Sequence, residues 1–365
     1  MIRFLHTGDL HLDSPFRGLT PEKARQRREE QRVLLERICT LAREREVDLV
    51  FIAGDLFDGE GVYYETTRMI AEVLGTIPAK VFIAPGNHDP FTETSPYASI
   101  HWPENVHVFR SEYMQRIELP ELGCAVYGTA FTSKYRDNSP LEHFKAGYDD
   151  GLCRLMVLHG DLTGGKSRYG GLTAGSLGDT GMDYVALGHI HRYTGVEQRK
   201  NTCYAYCGCP EGRGFDECGE KGVLIGEAER GSVRVEFVPL ATRRYEEIEL
   251  DVTGKSVKEA LLGAVPMDSE DHIYRFRMVG ERSGEPTDPQ TLAALVAGRC
   301  FDVRVVDATL PAMDLWARIE EDTLTGMFLR NMKKRMDSAS AEELPLLERA
   351  VRFGLCALEG REEPR

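Results

Sequence analysis

An Asp and a His one residue apart, Asp9 and His11, follow directly on a short apolar run in FLHTGDLHLDSP, residues 4–15. Similar clusters recur along the chain. Asp55 and Asp58 stand in AGDLFD, and Asn87, His88 and Asp89 in APGNHD. His159 stands in LHGDL, and His189 and His191 in DYVALGHIH. Any one of these residues alone reads as a helix cap or a satisfier of loop backbone. Five such clusters point instead to a shared metal site. Imidazole, carboxylate and one amide oxygen, with no thiolate, suit Mn, Fe, Zn or Co and not an all-oxygen cage for Ca or Mg. Four imidazoles and three or more carboxylates are too many donors for one ion. Two ions ~3.5–4 Å apart, sharing a carboxylate, would use them, and such a pair activates water and clamps a phosphoryl group during in-line displacement.

The elements that must position these residues are legible as apolar runs of four to six residues, VFIA (50–53 and 81–84), RLMVLHG (154–160) and YVAL (184–187). Continuous runs fit strands buried on both faces. Each polar cluster falls where such a run ends, the side of an open α/β sheet on which ligands bind. Gly8, Gly54, Gly86, Gly160 and Gly188 adjoin the clusters and are expected to permit sharp turns. Between the first two clusters, Thr20 and Pro21 open a predicted helix with a stripe of Leu34, Leu35, Ile38 and Leu41. After Pro239 the pattern changes. Residues 245–310 alternate strand-like and short helical segments, as in a small α+β domain. Residues 314–360 are helical, with Leu315, Ile319, Met327, Phe328 and Met332 on one side.

Composition narrows the function classes. The net charge is −14 over 365 residues, which disfavours unaided binding of a polyanion but not an enzyme whose acidic residues hold cations. No apolar run approaches the ~18 residues of a membrane span, and the first residues leave no room for a signal peptide, so a cytoplasmic protein is expected. Nine cysteines without an export signal argue for reduced thiols. The cluster CYAYCGC (203–209) lacks the pair spacing of a zinc site.

The ordered set Asp-x-His, Gly-Asp-x-x-Asp, Gly-Asn-His-Asp, His-Gly and Gly-His-x-His resembles the calcineurin-like metallophosphoesterase superfamily. HTGDLHLDSPFRGL and the later GCPEGRGFDECGEKG are similar to bacterial DNA-repair exonucleases of the SbcD/YhaO type. The resemblance implies a four-layer α-β-β-α sandwich over 1–240, a small α+β capping domain over 241–311 and a helical partner-binding tail over 312–365. It also implies two divalent metal ions, Mn²⁺ first among the candidates. One would be held by Asp9, His11, Asp55 and His191, the other by Asp55, Asn87, His159 and His189. His88 would act on the leaving oxygen, with Asp89 holding it. The implied partners are DNA and an SMC-like ATPase whose coiled coil docks on the C-terminal helices; a homodimer stays open. Some relatives carry a DNA-positioning His where this chain has Asp58, so the role of Asp58 is unsettled. Gly59 and Leu12 depart from the protein phosphatases of the superfamily.

Three further signals need weighing. GDLTGGKS (160–167) spells a phosphate-binding P-loop, but the glycines at 170, 171, 175 and 178 cannot sustain the helix it requires. A loop that brings Lys166 and Arg168 near substrate is the better expectation. The helix after Thr20 carries eight basic residues in 22–46 but also six Glu, which reads as a solvated, salt-laced face. Arg17 and Arg213 lie close to motif residues and are the better candidates for DNA contacts. The expected activity is therefore a two-metal DNA nuclease in double-strand break repair. A small-molecule phosphodiesterase or nucleotide pyrophosphatase is the alternative, disfavoured by the residues beyond 240.

Overall fold

Strand propensity and burial coincide in the apolar runs. The computed structural model describes residues 1–360 other than 60, 148–150, 165, 313 and 341. β1 (Ile2–Thr7), β2 (Leu49–Ile52), β3 (Lys80–Ile83) and β4 (Val106–Val108) pair in parallel. A second sheet holds β5 (Gln115–Leu119), β6 (Cys124–Gly128), β7 (Cys153–His159), β8 (Tyr184–Gly188), β9 (Glu197–Arg199) and β10 (Thr202–Tyr206), in the order β5-β6-β7-β8-β10-β9. β11 (Gly222–Glu229) and β12 (Ser232–Pro239) return to the first sheet, whose order is β12-β11-β1-β2-β3-β4. The helices here are α1 (Pro21–Glu44), α2 (Tyr64–Gly75) and the short α3 (Pro96–Ser99) and α4 (Ala174–Gly178).

The pleat sorts each continuous run into two cores. Leu5, Val50, Ile52, Val81 and Ile83 meet Leu34, Leu35 and Ile38 of α1 and Ile70 and Leu74 of α2. Phe4, Phe51 and Phe82 point the other way and meet Leu155, Val157, Tyr184 and Ala186 of the second sheet. Met156, Leu158, Val185 and Leu187 form a third core under Leu172 and Leu177. The expected sandwich is thus present. Its fourth layer is thin, being α4 and neighbouring loop rather than long helices. His6 belongs to the middle of this packing, with its ring nitrogens on the Tyr184 hydroxyl at 3.0 Å and Leu187 O at 3.2 Å. Burial pushes its pKa down to about 3.

α1 begins as expected. Thr20 caps it by accepting from Lys23 N, and Pro21 occupies the first turn. One expectation fails inside it. Arg27 is fully buried and not part of a solvated face; it ion-pairs with Glu211 and Glu30 and donates to Gly212 O at 2.9 Å. A buried guanidinium needs such partners, and one of them, Glu211, lies 184 positions away in the sequence.

The chain divides into two compact units, the first comprising 1–248, 266–275 and 296–304 and the second 249–265, 276–295 and 305–365. β13 (Tyr245–Asp251), β14 (Ile273–Val279), the two-residue β15 (Glu281–Arg282), β16 (Asp302–Asp307) and β17 (Leu310–Pro311) follow, with β13-β14-β16 forming a three-stranded sheet. The helices of the second unit are α5 (Val257–Ala264), α6 (Pro289–Val296), α7 (Leu324–Asp337) and α8 (Leu344–Glu359). α7 and α8 pack through Leu329, Met332, Val351 and Leu355, with Leu315, Ile319 and Phe328 against them. Met327 departs from the expected stripe and is 54% exposed. All nine cysteines are free thiols. Among the described residues no helix is long and apolar enough to cross a membrane.

The two sheets approach closely where β2 and β8 end. A Cβ on Gly188 would run into the carbonyl oxygen of Ala53, and neither backbone can move without breaking its ladder. Gly188→Ala is expected to destabilise the protein by about 1–3 kcal/mol, read as a lower midpoint in urea denaturation.

Candidate metal centre

The hydrogen-bond ladders of the strands continue into the loops beyond them and fix the polar residues there. Asp9 N donates to Gly54 O, His11 N to Asp55 O and Leu12 N to Leu56 O, each at 2.9 Å. The loop after β1 is thereby zipped to the loop after β2. Gln31 of α1 holds it from behind, donating to the carbonyls of Leu10 and His11 at 3.2 and 3.1 Å. Asp55 Oδ1 accepts from His88 N at 2.9 Å, which ties the loop after β3 to the same cluster. Asp9 accepts from His189 N at 3.0 Å, which ties in the loop after β8.

These loops carry unusual backbone. Asp9, His11 and Asp55 have φ of 51°, 46° and 46°, and His189 has 109°. Side chains other than glycine rarely adopt such values, and they persist where surrounding structure imposes them. The expectation that neighbouring glycines would supply the sharp turns is corrected here. Of the five, Gly54 has positive φ, at 86°, and a Cβ there would collide with the His159 ring. The glycines make room for close approach, while the polar residues themselves carry the strain.

The expected donors converge. Asp9, His11, Asp55 and His191 offer ligand atoms that all lie within 4.8 Å of one another. His11 Nε2 and His191 Nε2 are 3.3 Å apart, and His191 Nε2 is 3.7 Å from Asp9 Oδ1. On the other side, Asn87 Oδ1 lies 3.0 Å from His159 Nε2 and 3.1 Å from His189 Nδ1. Asp55 Oδ2 stands between the two groups, 3.5 Å from both His11 Nε2 and His159 Nε2.

The far nitrogens decide what the near ones can do. His11 Nδ1 faces Asp58 Oδ1 at 3.2 Å, and His159 Nδ1 faces Ala53 O at 2.9 Å. Both partners are acceptors, which assigns the ring proton to Nδ1 and leaves an inward lone pair on Nε2. Burial lowers the pKa of both rings and keeps them neutral. Two imidazole lone pairs therefore face the Asp55 carboxylate with no proton between them. That arrangement is repulsive as it stands and becomes favourable around a cation, so the residues present fit divalent ions.

His191 is held by a residue not singled out in the sequence. Its Nδ1 lies 2.6 Å from Glu217 Oε1. Burial opposes charge on this ring, but the Glu217 carboxylate outweighs it and raises its pKa. Burial would also raise Glu217, yet the bonds with His191 and Arg213 outweigh that and hold it well below the usual carboxylate range. Arg213 reaches Glu217 Oε1 at 2.9 Å and Asp58 Oδ1 at 3.5 Å, joining the two outer carboxylates. The stretch GCPEGRGFDECGEKG is the one signal for Glu217, and nothing in its spacing marks that residue.

Other expectations change. Asp89 does not hold His88. It accepts from Gly86 N at 2.8 Å, Phe57 N at 3.0 Å and the Tyr97 hydroxyl at 2.6 Å, and so stabilises its own loop. Burial, and then the Asp55 charge, push its carboxyl up to about 8. The carboxylate facing His88 is Asp58, with Oδ1 3.5 Å from Nδ1, and this bond raises the pKa of His88. Asp58 thus serves His11 and His88 together. Burial alone would raise its own pKa; the two histidines bring it well below the usual range. Arg17 is exposed and, among the described residues, makes no hydrogen bond or ion pair. No helix follows the P-loop-like stretch directly; α4 begins at Ala174.

Residues 2–193, just over half of the chain, match the model of the calcineurin-like phosphoesterase family. The metallophosphoesterase YhaO of Bacillus subtilis is 30% identical over 290 residues, covering 76% of this chain and 69% of that protein. The SbcD component of the nuclease SbcCD from the same organism is 26% identical over 272 residues, covering 63% of this chain and 67% of that protein. Its counterpart from Staphylococcus epidermidis is 24% identical over 309 residues, covering 76% and 79%. The chain belongs to the calcineurin-like phosphoesterase family, whose members bind divalent metals, and is a metal-dependent phosphodiesterase hydrolase.

Proposed function

We propose that this hydrolase is a DNA exonuclease of double-strand break repair that uses two divalent ions, Mn²⁺ foremost, and works with an SMC-like ATPase. The observation that carries the two-ion reading is Asp55 Oδ2, equidistant at 3.5 Å from His11 Nε2 and His159 Nε2. Asp9, His11 and His191 would hold one ion and Asn87, His159 and His189 the other, with the Asp55 carboxylate within reach of both. Two bound ions supply Lewis-acid polarisation of the phosphoryl group and a water acidic enough to attack it at neutral pH. The nuclease reading draws on the two SbcCD relatives.

The chain's own residues supply the rest. His88 is half-exposed beside the cluster, and Asp58 favours its protonated form. It is placed to give a proton to the leaving oxygen. Asp58 and Glu217 fix the ring orientations of His11 and His191 from behind. Such outer carboxylates also raise the basicity of a ligating imidazole.

Degradation of linear DNA in Mn²⁺ tests this reading. His88→Ala is expected to retain both ions by elemental analysis while turnover falls by about 10²–10⁴-fold; His189→Ala is expected to lose turnover and the second ion. Equal activity in both variants and the wild type would overturn the mechanism. Turnover of cyclic nucleotides without degradation of DNA would replace it with a small-molecule phosphodiesterase. Glu217→Gln is expected to weaken Mn²⁺ binding by about 10–100-fold in a calorimetric titration.

The ATPase partnership draws support from α8. Leu346 and Phe353, 69% and 39% exposed, are seven residues apart and share one helix face. An apolar face of that kind suits a helix-in-groove contact with a coiled coil. Phe353→Glu is expected to abolish capture of the ATPase coiled coil in a pull-down; undiminished capture would remove this helix face as the docking site, and no capture by the wild type would remove the partner.

A further inference from the structure

Residues 168–170 and the loop after β6 form a feature that the metal centre does not use. Arg136 N donates to Arg168 O and Gly170 N to Arg136 O, both at 2.8 Å, so residues 136 and 168–170 run side by side. This pairing sets two aromatic rings in succession outward from the metal centre. The Tyr169 ring lies 5.2 Å from the His189 ring, and the Tyr135 ring lies 5.9 Å from Tyr169. Tyr135 is 40% exposed. The Arg168 guanidinium stacks 3.9 Å from the Tyr135 centroid, and Lys134 Nζ lies 5.7 Å from it. Arg168 is itself largely exposed, and among the described residues its acidic neighbour, Asp137 at 3.8 Å, is exposed as well. Tyr135 also lines a cavity of about 1200 Å³ whose charged lining is mixed, with Arg116, Arg136 and Lys145 against Glu112, Glu118, Asp137 and Glu142.

We propose that Tyr135 and Arg168 form a stacking platform for an unpaired nucleotide, holding a single-stranded DNA end on a path between the metal centre and this cavity. The inference rests on the nuclease reading above and names the substrate form that reading would act on. The chemistry is that of single-strand recognition: exposed aromatic faces stack bases of any sequence, while adjacent cations hold the backbone. A duplex offers no free base face, so the platform selects unpaired ends. Lys134 and Arg168 set two cations beside the Tyr135 ring on a chain whose net charge is −14. An apolar protein ligand is a poorer fit, because the exposed Tyr135 ring is accompanied by two cations.

The test uses the Mn²⁺-loaded, full-length protein in a His88→Ala background and fluorescence anisotropy with a labelled oligothymidine and a blunt duplex. Tyr135→Leu is expected to weaken single-strand binding by roughly tenfold without changing duplex binding, and Tyr135→Phe to restore it. Unchanged single-strand affinity in Tyr135→Leu would overturn the platform, as would an equal loss for both probes or failure of Tyr135→Phe to rescue. Degradation of linear DNA by the wild type is scored separately. Its absence would remove the nuclease reading and leave the binding result to stand or fall by itself.

Discussion

The Asp55 carboxylate sits where everything else meets. It is 1% exposed, with one oxygen taken by the His88 amide and the other turned toward two imidazole lone pairs. Buried charge facing buried lone pairs is costly in a low-dielectric interior unless a cation stands among them. The fold accepts that cost by locking the groups in place from outside. Strand ladders that run on into the loops, Gln31 of α1 and the outer acceptors Asp58, Glu217 and Ala53 O leave the donors no way to turn apart.

Those outer acceptors are themselves held by longer-range packing. Glu217 lies in a loop that also contains Glu211, and Glu211 is the partner of the buried Arg27 of α1. Lys221 donates to His191 O at 2.8 Å from the far end of the same segment. The helix that read as a solvated basic face thus anchors, through Arg27, the segment that orients His191. Arg213 is fastened between Glu217 and Asp58, so its first task is to join the carboxylates behind His11 and His191.

The strained backbone belongs to the same economy. Asp9, His11, Asp55 and His189 sit at positive φ with their backbone tied to neighbouring loops, through the amides of Asp9, His11 and His189 and the carbonyl of Asp55, while their side chains face the centre. Asp89 contributes by bonding Gly86, Phe57 and Tyr97, which fixes the turn carrying Asn87 and His88. Residues adjacent in one motif therefore face different ways: Asn87 toward the centre, His88 half-exposed beside Asp58, and Asp89 into the core.

The sequence by itself determined the kind of site and most of its donors. Each of Asp9, His11, Asp55, Asn87, His159, His189 and His191 follows a continuous apolar run, and such runs become central strands whose ends converge. It also determined the parallel core, because VFIA and YVAL leave no polar face. What it did not carry is pairing at a distance. Spacing along the chain cannot say that Asp58 rather than Asp89 faces His88, that Glu217 backs His191, or that Arg27 is buried. Those outcomes depend on which loops lie side by side once two sheets have stacked. Hydrogen-bond partnership is set by separations of about 3 Å, and only the tertiary structure brings to that range residues as far apart in the chain as His191 and Glu217, 26 positions, or Arg27 and Glu211, 184 positions.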